Sequence, residues 1–345
     1  MKQMLSNHEY RKRLQNEADP SHAYGIAITA PPPFDFYRAE ECVYHPQVLG
    51  DRNKAEAFFM TAAERVLGPE EKKSLLLHAA LLKTILFIHV PAGVDRGIID
   101  ISKTVLAGSK TGLAGSKNIV SVSGGIHIVV VAERGSSCTV VWRGENTPRS
   151  FAAEFILGDA SKVVFEYSDA VCEPSLQIFA ATISTGAALT FEENIAAHAF
   201  FKARAAISLV GSGGSCTYKT GYRSTSAAVL DIERVVRHVA ADTSSCIIAR
   251  GVADGNAKAI WRGNVFVGKD AKRASAFLRH DAMLVGRFAE IDASPVLEIF
   301  TDDVSCKHSA SVTHVRPEDI FYCMSRGISE QDAKEHIVEG FLRHA

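Results

Sequence analysis

Two hydrophobic periods divide the chain. In the first part apolar residues recur at helical spacing, as they do from Ala55 to Leu67. From Thr84 to about Val315 this period gives way to short β-branched or aromatic runs separated by Gly, Ser, Asn and Asp. Beyond that point the helical period returns. The pattern predicts three regions: a partly helical N-terminal region over residues 1–83, an all-β core over 84–315 and a C-terminal helical pair over 316–345.

Similar turn units recur through the β region at intervals of roughly 25 residues. In several of them a small residue and a cysteine follow the turn and precede the next strand, as at Cys138, Cys216 and Cys246. A repeat of this size indicates stacked coils, because one coil cannot bury its apolar face alone. The pattern therefore predicts a parallel β-helix. A β-sandwich is the alternative, since it also contains many short strands at regular turn spacing.

Helix signals are clear near the C-terminus. Pro317 occupies a first-turn position, and Gly327 suits the left-handed residue that ends a helix. Ser329 then has the position of an N-cap for a second helix, with an acid three residues later. The second helix carries an apolar stripe made of Ala333, Ile337, Val338, Phe341 and Leu342.

Composition excludes several classes of protein. Of 345 residues, 47% are apolar and 22% are charged, as in a globular protein with a sizeable core. The formal net charge of -1 gives no overall case for binding nucleic acid. The most apolar stretch, from Leu75 to Pro91, is interrupted by His and Lys, and the N-terminus lacks a secretory signal pattern. We therefore expect a cytoplasmic protein without membrane insertion, with its seven cysteines reduced.

One pair of residues is chemically informative. Cys306 and His308 stand two residues apart in a β-branched run, a spacing that puts both side chains on one face of a strand. A thiol and an imidazole suit iron, copper or zinc better than magnesium or calcium. The pair is thus a candidate half of a soft-metal site.

Enzyme motifs give little support for catalysis. The sequence contains no Walker phosphate loop, so we expect the chain to bind no nucleotide itself. Acid pairs at Glu192–Glu193 and Asp302–Asp303 leave a polysaccharide lyase or hydrolase as an alternative, although adjacent strand residues point to opposite faces. We predict a non-catalytic protein.

From about Leu230 to Leu342 the chain resembles the SufB/SufD family of iron-sulfur cluster assembly proteins. The likeness rests on ordered strings, among them Asp231–His238, Trp261–Gly268, Leu297-Glu-Ile, Cys306-Lys-His308 and Ser325-Arg-Gly-Ile328. Within the family, the Cys-x-His string and the acidic segments before it look more like the D-type subunit than the B-type. The resemblance implies a right-handed parallel β-helix flanked by helical regions.

The resemblance also implies a role. Such subunits act as scaffolds with a SufC-type ABC ATPase and a SufB-type subunit or a second copy of the chain, and they build a transient iron-sulfur cluster shared with the partner. His308 matches the D-type histidine implicated in assembly, and Cys306 is a second candidate ligand. Where B-type chains have a cysteine this chain has His280, a weaker candidate. The predicted partner-docking residues are Phe321, Tyr322 and Arg326. A purely structural partner without a metal ligand is the alternative.

Overall fold

Sixteen strands followed by two helices make up the part of the chain that the computed structural model describes, which is residues 78, 81–102, 125–144 and 148–343. The first sheet contains, in spatial order, β1 (Leu82–Val90), β3 (Gly125–Ala132), β5 (Ser150–Leu157), β7 (Ser175–Ile183), β9 (Phe201–Leu209), β11 (Val229–His238), β13 (Lys258–Val267) and β15 (Glu290–Ile299). The second sheet contains β2 (Asp95–Asp100), β4 (Ser137–Arg143), β6 (Lys162–Val171), β8 (Ala188–Ala197), β10 (Ser215–Ser224), β12 (Ser244–Ala253), β14 (Ala274–Leu284) and β16 (Val304–His314).

Strands alternate between the two sheets along the chain, and neighbouring strands within each sheet are parallel. Each coil therefore adds one strand to each sheet. This arrangement is a parallel β-solenoid, so the predicted parallel β-helix is confirmed and the β-sandwich, which needs antiparallel sheets, is wrong. Most of the predicted N-terminal region over residues 1–83 lies outside the described residues.

The interior follows from the period of two along each strand. In β11, the residues from Leu230 to His238 at even positions are buried, while those at odd positions are partly exposed. In-register pairing stacks equivalent positions of successive coils, so aromatic side chains from both sheets meet inside. Phe155, Phe165 and Phe191 make tilted or edge-to-face contacts with ring centroids 5.0 to 5.9 Å apart. These contacts fill the space between the two sheets.

The recurring turn units form corners of the solenoid. Gly135, Gly186 and Gly213 lie at corners with positive φ angles of 66, 63 and 70°, where a side chain would be strained. The cysteines that follow such turns differ in orientation: Cys138 and Cys216 are buried in the core, whereas Cys246 lies at an outward-facing position of β12 and is only partly buried.

Two helices follow β16. Helix α1 (Pro317–Ser325) begins at its proline and buries no residue, whereas α2 (Glu330–Leu342) has Ser329 as an N-cap that accepts from the Asp332 amide. The apolar stripe of α2 packs on the second sheet, where Val338 contacts a cluster that includes Val252. No helix in the described ranges is long and apolar enough to cross a membrane.

Candidate functional site

The two last strands, β15 and β16, form what we call the open end of the solenoid. Each is the final strand of its sheet, and β15 pairs only with β13 and β16 only with β14 within the described chain. One backbone edge of each strand is consequently left unpaired. Burial differs between the last two strands of the second sheet: β14 alternates between buried and exposed positions from Ala274 to His280, whereas most of β16 is exposed.

Strand register orients the Cys306 and His308 side chains. Cys306 lies opposite Ala276, and His308 lies opposite Leu278. Residues paired in register on parallel strands point to the same face, and both β14 residues are buried in the interior. Cys306 and His308 therefore face inward, into the mouth of the open end, and lie on one face as their spacing predicts.

The two candidate ligands differ in exposure. Cys306 is partly buried against the main core, and this burial raises the pKa of its thiol, while a hydrogen bond involving the Ala276 backbone acts in the opposite direction. The thiol is thus protonated at neutral pH and would release a proton on binding a metal. His308 is exposed and accessible to solvent.

His280 lies one strand further in. Its register partner on β16 is Ala310, two positions along from His308. The ring is fully buried, its Nε2 is 2.9 Å from the Tyr222 hydroxyl, and it stacks on Trp261 with centroids 4.5 Å apart. Burial lowers the pKa of His280 to about 4, so the imidazole is neutral at physiological pH.

The pair does not complete a metal site alone. Among the residues that the structure describes, no three His, Cys, Asp or Glu side chains converge in a way that could hold a metal ion. Cys306 and His308 supply two donors, whereas structural zinc and common iron-sulfur sites take about four ligands. Any such site at the open end would need ligands from outside the described residues.

Helix α1 carries the predicted docking residues. Phe321 and Tyr322 are 73% and 61% exposed, and the Arg326 guanidinium carbon lies 5.3 Å from the centroid of the Tyr322 ring. Helix α2, beside it, is anchored to the sheet by Arg223, which pairs with Glu335. Phe321, Tyr322 and Arg326 thus present aromatic and basic groups on α1, next to a helix that is bonded to the second sheet.

A buried ion pair inside the solenoid is not predicted from the sequence. Arg234 on β11 donates to Glu193 on β8 at 2.6 Å, and each side chain is only 1% exposed. Small register neighbours, Ala205 and Gly263, flank the arginine. The signal for this pair is an arginine at an even, inward-facing position of the Asp231–His238 string.

The same ion pair bears on the lyase alternative. Glu193 is buried and bonded to Arg234, while its neighbour Glu192 lies on the outer face near Lys219, with Nζ 3.7 Å from Oε1. Two carboxylates on opposite faces of a strand do not flank one glycosidic bond. This geometry gives the polysaccharide lyase or hydrolase alternative no support.

Comparisons with known proteins point to one family. Residues 118–341 match the family model described as "SUF system FeS cluster assembly, SufBD core domain". An "Iron-sulfur cluster assembly SufBD family protein" of Staphylococcus epidermidis is 35% identical over 134 residues, 39% of this chain and 29% of the relative. Similarly described proteins of Staphylococcus haemolyticus and Staphylococcus aureus are 40% identical over 105 residues, 30% of this chain. The latter matches span 23% of those relatives.

Proposed function

Because the chain belongs to the SufBD family of iron-sulfur cluster assembly proteins, we propose that it is a non-catalytic, D-type scaffold subunit of a Suf-type assembly complex. Its cargo is a transient iron-sulfur cluster built at the interface with another chain. One observation carries the proposal. Register puts Cys306 and His308 on the inward face of the last described coil, where no further described coil covers them.

The chemistry of the pair suits this cargo. An imidazole and a thiolate are ligands that iron accepts, and His308 and Cys306 would supply them from the same face of one strand. Cluster construction needs additional thiolates, and the two other cysteines in the inward row of Cys306, Cys138 and Cys216, are both buried. The remaining ligands therefore come from a partner.

The partner binds at the open end. Both edge strands offer unpaired backbone groups, and apolar side chains are exposed there on Val296, Ile299 and Val312. Edge strands of this kind bind a strand of another chain through main-chain hydrogen bonds. The occupant is a SufB-type subunit or a second copy of this chain.

Helix α1 docks the second partner, a SufC-type ATPase. Its exposed Phe321, Tyr322 and Arg326 form a compact aromatic and basic surface, the composition typical of binding hot spots. The ATPase supplies the nucleotide chemistry for which this chain has no Walker loop. We further propose a cytoplasmic location, where thiols stay reduced.

The test is anaerobic cluster reconstitution with a purified B-type partner and the ATPase. His308→Ala should abolish or strongly reduce bound iron and acid-labile sulfide, measured with the cluster's visible absorption. His314→Ala is the matched control, because His314 is an exposed histidine on the same face of β16. Size-exclusion chromatography should show that both variants still bind the partner.

The outcome separates the two candidate roles. If His308→Ala assembles as much cluster as the wild-type complex, the ligand assignment is wrong. The chain would then be the purely structural partner, an alternative that the absence of a three-ligand group among the described residues keeps open.

A further inference from the structure

Two buried ring nitrogens one coil inside the open end have no hydrogen-bond partner within the part of the chain that the structure describes. They are Nε1 of Trp261 on β13 and Nδ1 of His280 on β14. Both residues are fully buried, and their rings are stacked with 8° between the ring planes. A buried donor without an acceptor is costly, so two of them on one stacked pair indicate a ligand that accepts.

The proton on His280 can be assigned from its neighbour. The Tyr222 hydroxyl makes its hydrogen bond with Nε2 of His280, and no other partner of this hydroxyl is found among the described residues. If the hydroxyl accepted, its own proton would stay buried and unpaired. Tyr222 therefore donates to Nε2, and the ring proton of the neutral imidazole sits on Nδ1.

The surroundings of the stacked pair are asymmetric. On the core side, the Tyr222 ring passes over Gly251, where an added Cβ would lie 2.0 Å from the ring. Toward the open end, the register neighbours are alanines: Ala293 follows Trp261, and Ala310 follows His280. The pair is thus packed tightly on one side, while both of its register neighbours toward the proposed cluster site have small side chains.

We propose that Trp261 and His280 form a donor pair that binds hydrosulfide, the small sulfur anion from which a cluster is built. The identity of this anion rests on the proposed function. Two neutral N–H donors among aromatic rings and alanines suit a large, weakly hydrated, polarisable anion, and N–H···S hydrogen bonds of this kind tune iron-sulfur centres. His280 then serves as a hydrogen-bond donor behind the metal ligands, one strand in from His308.

The test uses the two tryptophan indole N–H signals of the full chain labelled with ¹⁵N. The chain contains two tryptophans, and Nε1 of Trp142 already donates to Asp169 at 3.1 Å, so its signal is an internal reference. We expect titration with sodium hydrosulfide, anaerobically and without iron, to move the Trp261 signal saturably. The Trp142 signal should not move.

Two variants on the exposed strand β16 sharpen the result without touching the buried core. Ala310→Leu places a larger side chain over His280 and should keep the anion from reaching Nδ1. Because one hydrogen bond to the anion is then lost, the apparent dissociation constant for hydrosulfide should rise at least about tenfold. Ser309→Leu is the matched control, because Ser309 is exposed and points to the outer face. Its affinity should equal that of the wild type.

Several results would overturn the donor pair. A Trp261 signal that stays fixed, a common shift of both indoles, or equal binding by the two leucine variants would each do so. A shift that appears with ferrous iron alone would mean that Nδ1 carries a lone pair and acts as a ligand. Since the titration contains no iron, ATPase or partner, its failure leaves the scaffold proposal and its His308→Ala test intact.

Discussion

The middle of the solenoid and its open end are built from the same rows of residues but offer different chemistry. One inward row runs from Cys216 through Ser245 and Ala276 to Cys306. Burial strongly raises the pKa of the Cys216 thiol and removes it from solvent, whereas Cys306, three strands further along the same sheet, is only partly buried. Position in the stack, more than residue type, decides which thiol can react.

A parallel contrast concerns charge. In the middle, Arg234 and Glu193 neutralise each other away from water, supported by a 3.1 Å hydrogen bond from Thr220. At the open end, His308 lies on the inward face of β16 but is exposed to solvent, because no further described coil covers it. We therefore expect the middle to govern stability and the open end to govern function.

Removing one partner of the buried ion pair should have the largest effect. Arg234→Met leaves the Glu193 carboxylate buried without compensation, and we expect a loss of about 3–5 kcal/mol in the free energy of unfolding. Urea denaturation followed by circular dichroism measures it. Arg343→Met, at an exposed arginine on the C-cap of α2, is the control and should change stability by less than about 0.5 kcal/mol.

A second substitution tests the cause. If charge imbalance destabilises the variant, Arg234→Met combined with Glu193→Gln should recover part of the loss. Equal instability of the single and double variants would show that packing, and not the unpaired carboxylate, is responsible.

The pH dependence of stability should be the next largest effect. Burial lowers the pKa of His238 and of His280 from 6.5 to about 4. Between these values the unfolded chain binds more protons than the folded one. The stabilising contribution is therefore complete above about pH 6.5 and is lost as pH falls toward 4, by about 3 kcal/mol for each histidine.

Denaturation midpoints measured from pH 7.5 to 4 test this prediction. His280→Gln removes one titrating group, and its stability should fall less steeply with acid than that of the wild type. A slope identical to the wild type would show that folding does not lower the pKa of His280.

Replacing a glycine under the Tyr222 ring should have a smaller effect. Gly251→Ala forces the ring away from His280, and overpacking of this kind costs about 1–3 kcal/mol. Gly340→Ala on α2 is the matched control, since an added Cβ there meets no atom within 4 Å and alanine favours a helix. Thermal denaturation should show a lower midpoint for the first variant only.

Much of the fold could be predicted from local patterns. Period-two runs, recurrent turns, the Pro317 helix start and the Ser329 cap depend on residues close in sequence. The common face of Cys306 and His308 is likewise a local property of a strand. The first strand shows the limit, because the sequence pattern starts the β region at Thr84 whereas β1 begins two residues earlier, at Leu82.

The rest of the site depends on which residues the coils stack together. Tyr222 and His280 are 58 positions apart, and Arg234 and Glu193 are 41 apart. A one-residue change in register would turn each of these side chains to the opposite face. No local pattern fixes that register, so the sequence predicts His280 as a candidate ligand and contains no sign of its stacked partner Trp261.

The smallest effect on stability is expected at the residue most important for function. His308→Ala should change the free energy of unfolding by less than about 0.5 kcal/mol, because the side chain is exposed and makes no buried contact to lose. Leu278→Ala, at its buried register partner in the same row, should cost about 2–5 kcal/mol. Urea denaturation of the chain without its partner measures both. A large loss in His308→Ala would mean that the open end is part of the structural core, and the contrast between the two regions would fail.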